Sequence, residues 1–286
     1  MKPKAKLMVR ILLRFFSILP LPLNHFLGSI IGRFMYITSN KSKNIVEKNI
    51  SLCFPKLDTT NKNKLIRETL IESGKGLTES GIIWFNNFAN NSNYINKING
   101  KEYLNSKRPT ILLVPHFGCW EITGRVISLT RPVTFLYKPL KSKIFESFIL
   151  SKRNQGSLEM ASADKKGVIK IQRAISNNKL IGILPDQDPG EEGSIMSPFF
   201  NNDVRTMTLL VKLARKNDAQ VLMTWAERLS YGRGYVLNLK PINVVAESNN
   251  IKDDVALMNK AIEDLIKTKP EQYLFNYKRF KSSIKY

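Results

Sequence analysis

Thr110-Ile-Leu-Leu-Val-Pro-His-Phe-Gly-Cys-Trp-Glu121 reads as strand, turn and helix in quick succession. Ile111 to Val114 is an unbroken run of branched apolar residues, the mark of a short buried strand. Pro115 ends it and His116 follows directly. Gly118 can take backbone angles closed to other residues, so a tight turn fits here. Glu121 then falls in the first turn of a helix continuing through Ser128. On one continuous helix, residues five apart point about 140° away from each other. A strand-turn-helix corner instead lets the His116 imidazole fold back onto the Glu121 carboxylate.

That contact supplies a base and the group that orients it. A carboxylate on one ring nitrogen fixes the tautomer and leaves the other nitrogen to take a proton from a hydroxyl. It is a Ser-His-Asp triad without its serine, so the hydroxyl has to come from a substrate. The chemistry implied is acyl transfer to an alcohol with no covalent enzyme intermediate. The plainer alternative is a surface histidine beside an incidental glutamate.

The surrounding residues resemble a known family. His116-Phe-Gly-Cys-Trp-Glu121 is similar to the His-Phe-Gly-Asn-Trp-Glu signature of the bacterial lipid A late acyltransferases, the lauroyl and myristoyl transferases of lipopolysaccharide synthesis. Further blocks follow in the family's order: Tyr137-Lys-Pro139, Arg153-Asn-Gln-Gly156, Leu184-Pro-Asp-Gln-Asp-Pro-Gly190 with Pro198-Phe-Phe200, and Gln272-Tyr-Leu-Phe-Asn-Tyr-Lys-Arg-Phe-Lys281. Asn49 to Pro55 resembles an early block, which we assign to packing. Cys119 stands where asparagine is usual, Phe275 where tryptophan is, and Tyr277 where histidine is. The resemblance spans nearly the whole chain. It implies a glycerolipid-acyltransferase-like αβ sandwich that uses no cofactor. The implied donor is an acyl chain on acyl carrier protein, and the implied acceptor is a hydroxyl of a Kdo-bearing lipid A precursor.

Composition bears on partners. The 286 residues carry 45 Lys and Arg against 23 Asp and Glu, a net charge of +22, and such a surface seeks polyanions. No zinc-finger spacing, glycine-framed aromatic RNA motif or basic zipper supports nucleic acid, so an anionic membrane surface is the expected partner. The two cysteines, Cys53 and Cys119, have neither metal-ligand nor disulfide-framework spacing, and read as small buried hydrophobes in a reducing compartment.

Residues 1–40 form the expected membrane-associating segment. Lys2, Lys4, Lys6, Arg10 and Arg14 lead into an apolar stretch that Pro20, Pro22, Asn24 and His25 interrupt. It is marginal as a span, which needs about 20 apolar residues. A pair of basic amphipathic helices in the interface suits it at least as well. A retained anchor is preferred to a cleaved signal peptide, and His25 reads as structural. Its lysines are expected to face the cytoplasmic side, and with the resemblance this implies the cytoplasmic face of the inner membrane, as a peripheral or singly anchored protein.

Residues 41–286 form the expected acyltransferase domain, with a helical lead-in over 41–99 and an α/β core over 100–286. In the lead-in, Gly74, Gly76 and Gly81 permit close helix packing, and the asparagine-rich stretch to Asn99 reads as a loop. From Thr110 strands and helices alternate, including a strand at Val133–Tyr137, helices at 142–154 and 206–216, and a closing helix from Ile251 to Lys267. This pattern argues α/β architecture with a largely parallel sheet. Sites in such sheets form at the carboxyl ends of strands, where both His116 and Pro185-Asp-Gln-Asp188 fall.

By the resemblance, Arg153 is the expected oxyanion partner. Asp186 is expected to hold its guanidinium flat, or else Asp186 and Asp188 cap a turn. No third ligand stands near this Asp-x-Asp pair, so no metal site is expected. Lys138 and Arg205 are candidates to meet acceptor phosphates. Phe199 and Phe200 are candidates either for an acyl groove or for the core. Two alternatives stay open: transfer to another lipid acceptor, such as a lysophospholipid or glycolipid, and a non-catalytic basic membrane-binding protein.

Overall fold

A computed structural model describes residues 3–140 and 142–286, with the side chains of 3–7 and 143–145 outside the description. Lys2, and the side chains of Lys4 and Lys6 in the expected basic leader, therefore lie outside it. The chain opens with four helices: α1 (Pro3–Ser17), α2 (Leu21–Ile37), α3 (Lys41–Cys53) and α4 (Thr59–Phe85). Asn40 caps α3 and Asp58 caps α4, each accepting a backbone N–H of the first turn. Helix α2 lies against α4 with the backbones almost touching. A methyl group added at Gly74 would stand 2.1 Å from the Gly28 carbonyl oxygen. Gly81 meets α1 in the same way, with the Leu13 carbonyl 2.4 Å from its missing Cβ. Only glycine permits such contact, as the sequence suggested for Gly74 and Gly81.

Strand β1 (Ile95–Asn99) leads into the α/β part: β2 (Thr110–Leu113), α5 (Trp120–Ser128), β3 (Val133–Tyr137), α6 (Lys143–Arg153), β4 (Leu158–Ser162), α7 (Lys165–Ser176), β5 (Leu180–Ile183), β6 (Ser194–Phe199), β7 (Asn202–Met207), α8 (Leu209–Lys216), β8 (Gln220–Arg228), β9 (Tyr235–Ile242) and α9 (Ile251–Thr268). Seven strands form one sheet in the order β1-β9-β8-β2-β5-β3-β4. Every pair is parallel except β8 with β9. The expected α/β architecture with a largely parallel sheet is therefore present. Strands β2 and β5 are buried along their whole length, as continuous apolar runs in a covered parallel sheet should be.

Both faces of the sheet are covered. Leu112, Val114, Phe135, Leu158 and Leu222 pack with Ile122, Val126 and Ile127 of α5 on one face. Ile111, Leu113, Ile181 and Ile183 pack with residues of α7, α8 and α9 on the other.

Two expectations are corrected and one open alternative is decided. The stretch before Asn99 is not all loop, because Ile95–Asn99 is an edge strand paired with β9. The helix expected from residue 206 starts at Leu209, since residues 202–207 pair with β6 in an antiparallel hairpin. Of the two readings of Phe199 and Phe200, the core one holds, at 1% and 7% exposure. Among the described residues, no helix is long and apolar enough to cross a membrane.

Candidate active site

Strands β2 and β5 run side by side with Leu113 opposite Ile183. Each ends in the same way: Leu113-Val-Pro-His116 on one, Ile183-Leu-Pro-Asp186 on the other. Both prolines stop the ladder. His116 and Asp186 consequently leave the sheet at the same height and meet. The imidazole Nδ1 lies 2.8 Å from Asp186 Oδ1, and the His116 backbone N–H donates to Oδ2 at 2.9 Å. Burial alone would push the Asp186 carboxyl up, but His116 at its side and those hydrogen bonds hold it below the usual carboxylate range. Asp186 is thus an ionised acceptor, Nδ1 carries the proton, and Nε2 is the free nitrogen.

The turn is clamped from outside. Gly118 sits at φ +56°, and a Cβ there would fall 2.1 Å from the Ala226 carbonyl oxygen. Gly118 N–H donates to Gln272 O, Cys119 N–H to Ala226 O, and Leu274 N–H to His116 O. Arg228 Nη2 donates to the Gly118 carbonyl at 3.0 Å. That guanidinium is buried and also binds Glu79 and Glu72. Glu79 in turn meets His25 Nε2 at 3.1 Å and the Tyr235 hydroxyl at 2.8 Å. His25 is structural, as expected. Burial opposes ionisation of Glu79, yet Arg228 and His25 hold its pKa far below the ordinary value.

The Glu121 carboxylate does not receive the imidazole. It binds Arg153 through Nε at 3.1 Å and through a close Nη2 contact, and it accepts the Trp84 indole N–H at 3.1 Å. The expected His116–Glu121 hydrogen bond is therefore replaced by His116–Asp186. The expected Asp186–Arg153 pair is replaced by Glu121–Arg153. The physical reason is strand order: β5 lies beside β2, whereas Glu121 is carried on α5 toward α6. Burial pushes the Glu121 carboxyl up, and the Arg153 guanidinium more than offsets it. Arg125, buried beneath the pair, donates to the Lys152 carbonyl and ties α5 to the end of α6. Burial lowers its pKa to about 10.

His116, Glu121 and Arg153 open into one cleft of about 1200 Å³ along the carboxyl edge of the sheet. Its walls come from both faces. Trp120, Gly124, Phe135, Leu158 and Met160 form the side toward α5, and Leu136, Val168, Ile169, Met207 and Leu209 the side toward α7 and α8. Successive residues of β3 point to opposite faces, which is how Phe135 and Leu136 serve opposite walls. Lys138 lies on the rim with Lys165 and Lys212, its Nζ 3.4 Å from the Pro189 carbonyl. Asp188 lines the cleft, accepting Gly190 N–H at 2.8 Å, while its own N–H meets the Tyr277 hydroxyl at 3.1 Å. Tyr277, where the family has histidine, thus braces this loop. Phe275 is buried against Tyr273 and Phe54. Arg205 is absent from these walls and pairs with Glu191 at 3.4 Å. Among the described residues, no group of three His, Cys, Asp or Glu could hold a metal ion.

One side chain within hydrogen-bond distance of His116 had no assigned role in the sequence. Gln187 Nε2 lies 3.2 Å from His116 Nε2. It sits within the Pro-Asp-Gln-Asp block, and its position beside Asp186 was the available signal.

A family model described as bacterial lipid A biosynthesis acyltransferase matches residues 4–282. The chain is 29% identical over 269 residues to a lipid A biosynthesis palmitoleoyltransferase of Escherichia coli strain K12, covering 92% of this chain and 87% of that one. It is 27% identical over the same length to a lipid A biosynthesis lauroyltransferase of the same strain, with the same coverage. A lipid A biosynthesis acyltransferase of Haemophilus influenzae is 26% identical over 245 residues, 83% of this chain and 77% of that protein.

Proposed function

Since this chain belongs to the bacterial lipid A biosynthesis acyltransferase family, we propose that its cleft transfers an acyl chain from an acyl carrier protein thioester to a hydroxyl of a Kdo-bearing lipid A precursor. The observation that carries the reading is the His116–Asp186 contact, with His116 lining a largely apolar cleft of about 1200 Å³ that has a lysine rim. His116 Nε2 takes the acceptor's hydroxyl proton as the oxygen attacks the thioester carbonyl. Asp186 holds the ring and stabilises the imidazolium that forms. Arg153 has Nε and Nη2 committed to Glu121, which leaves Nη1 for the tetrahedral oxyanion. When the intermediate collapses, the thiolate leaves and takes the proton back from His116. The products are an ester and a free thiol. Glu121 acts by holding Arg153, and Lys138 with its neighbours meets the acceptor's phosphates. We place the donor chain along the wall formed by Gly124, Phe135 and Leu158.

The same reading puts the protein at the cytoplasmic face of the inner membrane, lying in the interface. Met8, Ile11, Leu12 and Phe15 of α1, and Phe26, Ile30, Phe34 and Ile37 of α2, are exposed apolar side chains with Arg10 and Arg33 among them. A basic surface with an apolar face suits anionic lipid. Purified protein, labelled acyl carrier thioester and lipid A precursor in mixed micelles test the function. Mass spectrometry should find one added acyl chain, and an unmodified acceptor with intact thioester would overturn the proposal.

A further inference from the structure

A base poised beside a thioester faces a competitor to its alcohol. Water is far more abundant than any lipid hydroxyl, and His116 would activate it equally well. The side chain of His116 is 15% exposed, so burial alone does not keep water from it. Its free nitrogen is nevertheless occupied. With Nδ1–H donated to Asp186, Nε2 is an acceptor, and the Gln187 amide nitrogen stands 3.2 Å away, within hydrogen-bond distance of the nitrogen that must take the substrate's proton. Gln187 follows the orienting aspartate directly and lines the same cleft.

We propose that Gln187 guards the catalytic base: its amide caps His116 Nε2 until an acceptor hydroxyl displaces it, and so suppresses hydrolysis of the acyl donor. The inference rests on the acyl-transfer reading and adds a selectivity device to it. In the guarded site no water can donate to Nε2. A lipid acceptor, anchored by its own chains and phosphates, brings its hydroxyl in with binding energy that water lacks, and exchanges one neutral hydrogen bond for another. Without the guard, water would donate its proton to Nε2 and its oxygen would attack the thioester carbonyl. The thiolate would leave with the returned proton, giving a free fatty acid and a thiol. Gln187 acts through His116, so it is a positioning residue.

The test reads thiol release from a saturated acyl thioester of acyl carrier protein, with and without lipid A precursor, using the full chain. Gln187→Met keeps the length of the side chain and removes the donor, and Gln187→Ala removes both. Each should raise acceptor-independent thiol release roughly fivefold relative to transfer, the factor expected for one neutral hydrogen bond. The double variant His116→Ala with Gln187→Met should lose that gain, because the added hydrolysis runs through His116. A purely structural role predicts that transfer and hydrolysis fall together, and that result, or unchanged hydrolysis in both single variants, would overturn the guard. Failure of the acyl-transfer reading looks different: the unaltered chain would then acylate no lipid, and both ideas would fall.

Discussion

His116 is oriented by Asp186, 70 residues further along the chain, and not by the glutamate of its own motif. The two roles of the carboxylates are thereby separated. Asp186 binds His116, and Glu121 binds Arg153. Asp186→Asn should lower kcat by about 10³–10⁴-fold, since an amide can hold the wrong tautomer in place. His116→Ala should be at least as severe. Initial rates with labelled donor check both, and an Asp186→Asn enzyme within a few-fold of the parent would remove Asp186 from the mechanism.

Arg153 tests the second pair. Its guanidinium grips Glu121 through two different nitrogens, a geometry lysine cannot copy. Arg153→Lys should therefore fail almost as badly as Arg153→Ala, with the loss in kcat and not in the acceptor's KM. A loss of roughly 3 kcal/mol in transition-state stabilisation is expected for one such donor. Rescue by lysine together with a raised acceptor KM would point to phosphate binding.

Phe135 tests the placement of the donor chain. Its ring is wedged between Gly124, whose missing Cβ would lie 2.9 Å away, and Gly182, whose Cβ would lie 2.4 Å away, so it cannot retreat. Phe135→Leu should lengthen the α5-side wall and raise the kcat/KM ratio of longer over shorter donors by about tenfold. Competition between two donors, read by mass spectrometry, measures it. An unchanged ratio would move the chain to the opposite wall.

The N-terminal helices call for point changes. Deleting residues 1–40 would strip α2 from α4, where Gly28 and Gly74 interlock, and expose the buried Thr78 and Glu79 that Asn24 and His25 contact. Phe15→Glu with Ile30→Glu alters only exposed faces and should leave Tm nearly unchanged while weakening sedimentation with anionic vesicles. The residual binding should fade with salt, since exposed charges are screened beyond about 10 Å at 0.1 M. Full vesicle binding by the double variant would locate the membrane contact elsewhere.

Acid should reveal the buried network. Asp186, Glu121 and Glu79 all have folded pKa values below their ordinary ones. Depressed carboxylates contribute stability above the unfolded pKa and lose it as pH falls through the folded value. Tm should accordingly hold from neutrality to about pH 5 and decline below it. Arg228→Met strands Glu79 and Glu72 without their partner and should cost about 3–5 kcal/mol at neutral pH. Burial then dominates Glu79 and raises its pKa, so mild acid should stabilise this variant relative to pH 7. Parallel Tm curves for the two proteins would contradict that assignment.

What was legible in the sequence was whatever repeats locally. The apolar run at Ile111 to Val114 and the branched residues of Val133–Tyr137 announced strands, and both are there. The hairpin of β6 and β7 was hidden because its turn places Phe200 and Asn201 at positive φ, where Asn or Gly is the usual marker and Phe gives no signal. Strand β1 was hidden because Ile95 and Ile98 are three apart, and period two is absent. The partner of His116 was not legible for a different reason. It depends on which strands are neighbours, and no local pattern states that β5 lies beside β2. Gln187 went unassigned on the same ground.

The matched ends of β2 and β5 bear on the protein's birth as well as its chemistry. Leu113 pairs with Ile183, and His116 and Asp186 each stand three residues beyond that pair. Parallel pairing of this kind closes late, because the intervening loop must be ordered first. While the ribosome is still making residues 117–180, the histidine already exists but has no carboxylate beside it. A slip of one residue in β5 would leave it equally alone. On the proposed mechanism, the unfinished chain carries no competent base, and catalytic power waits on the docking of β5 beside β2.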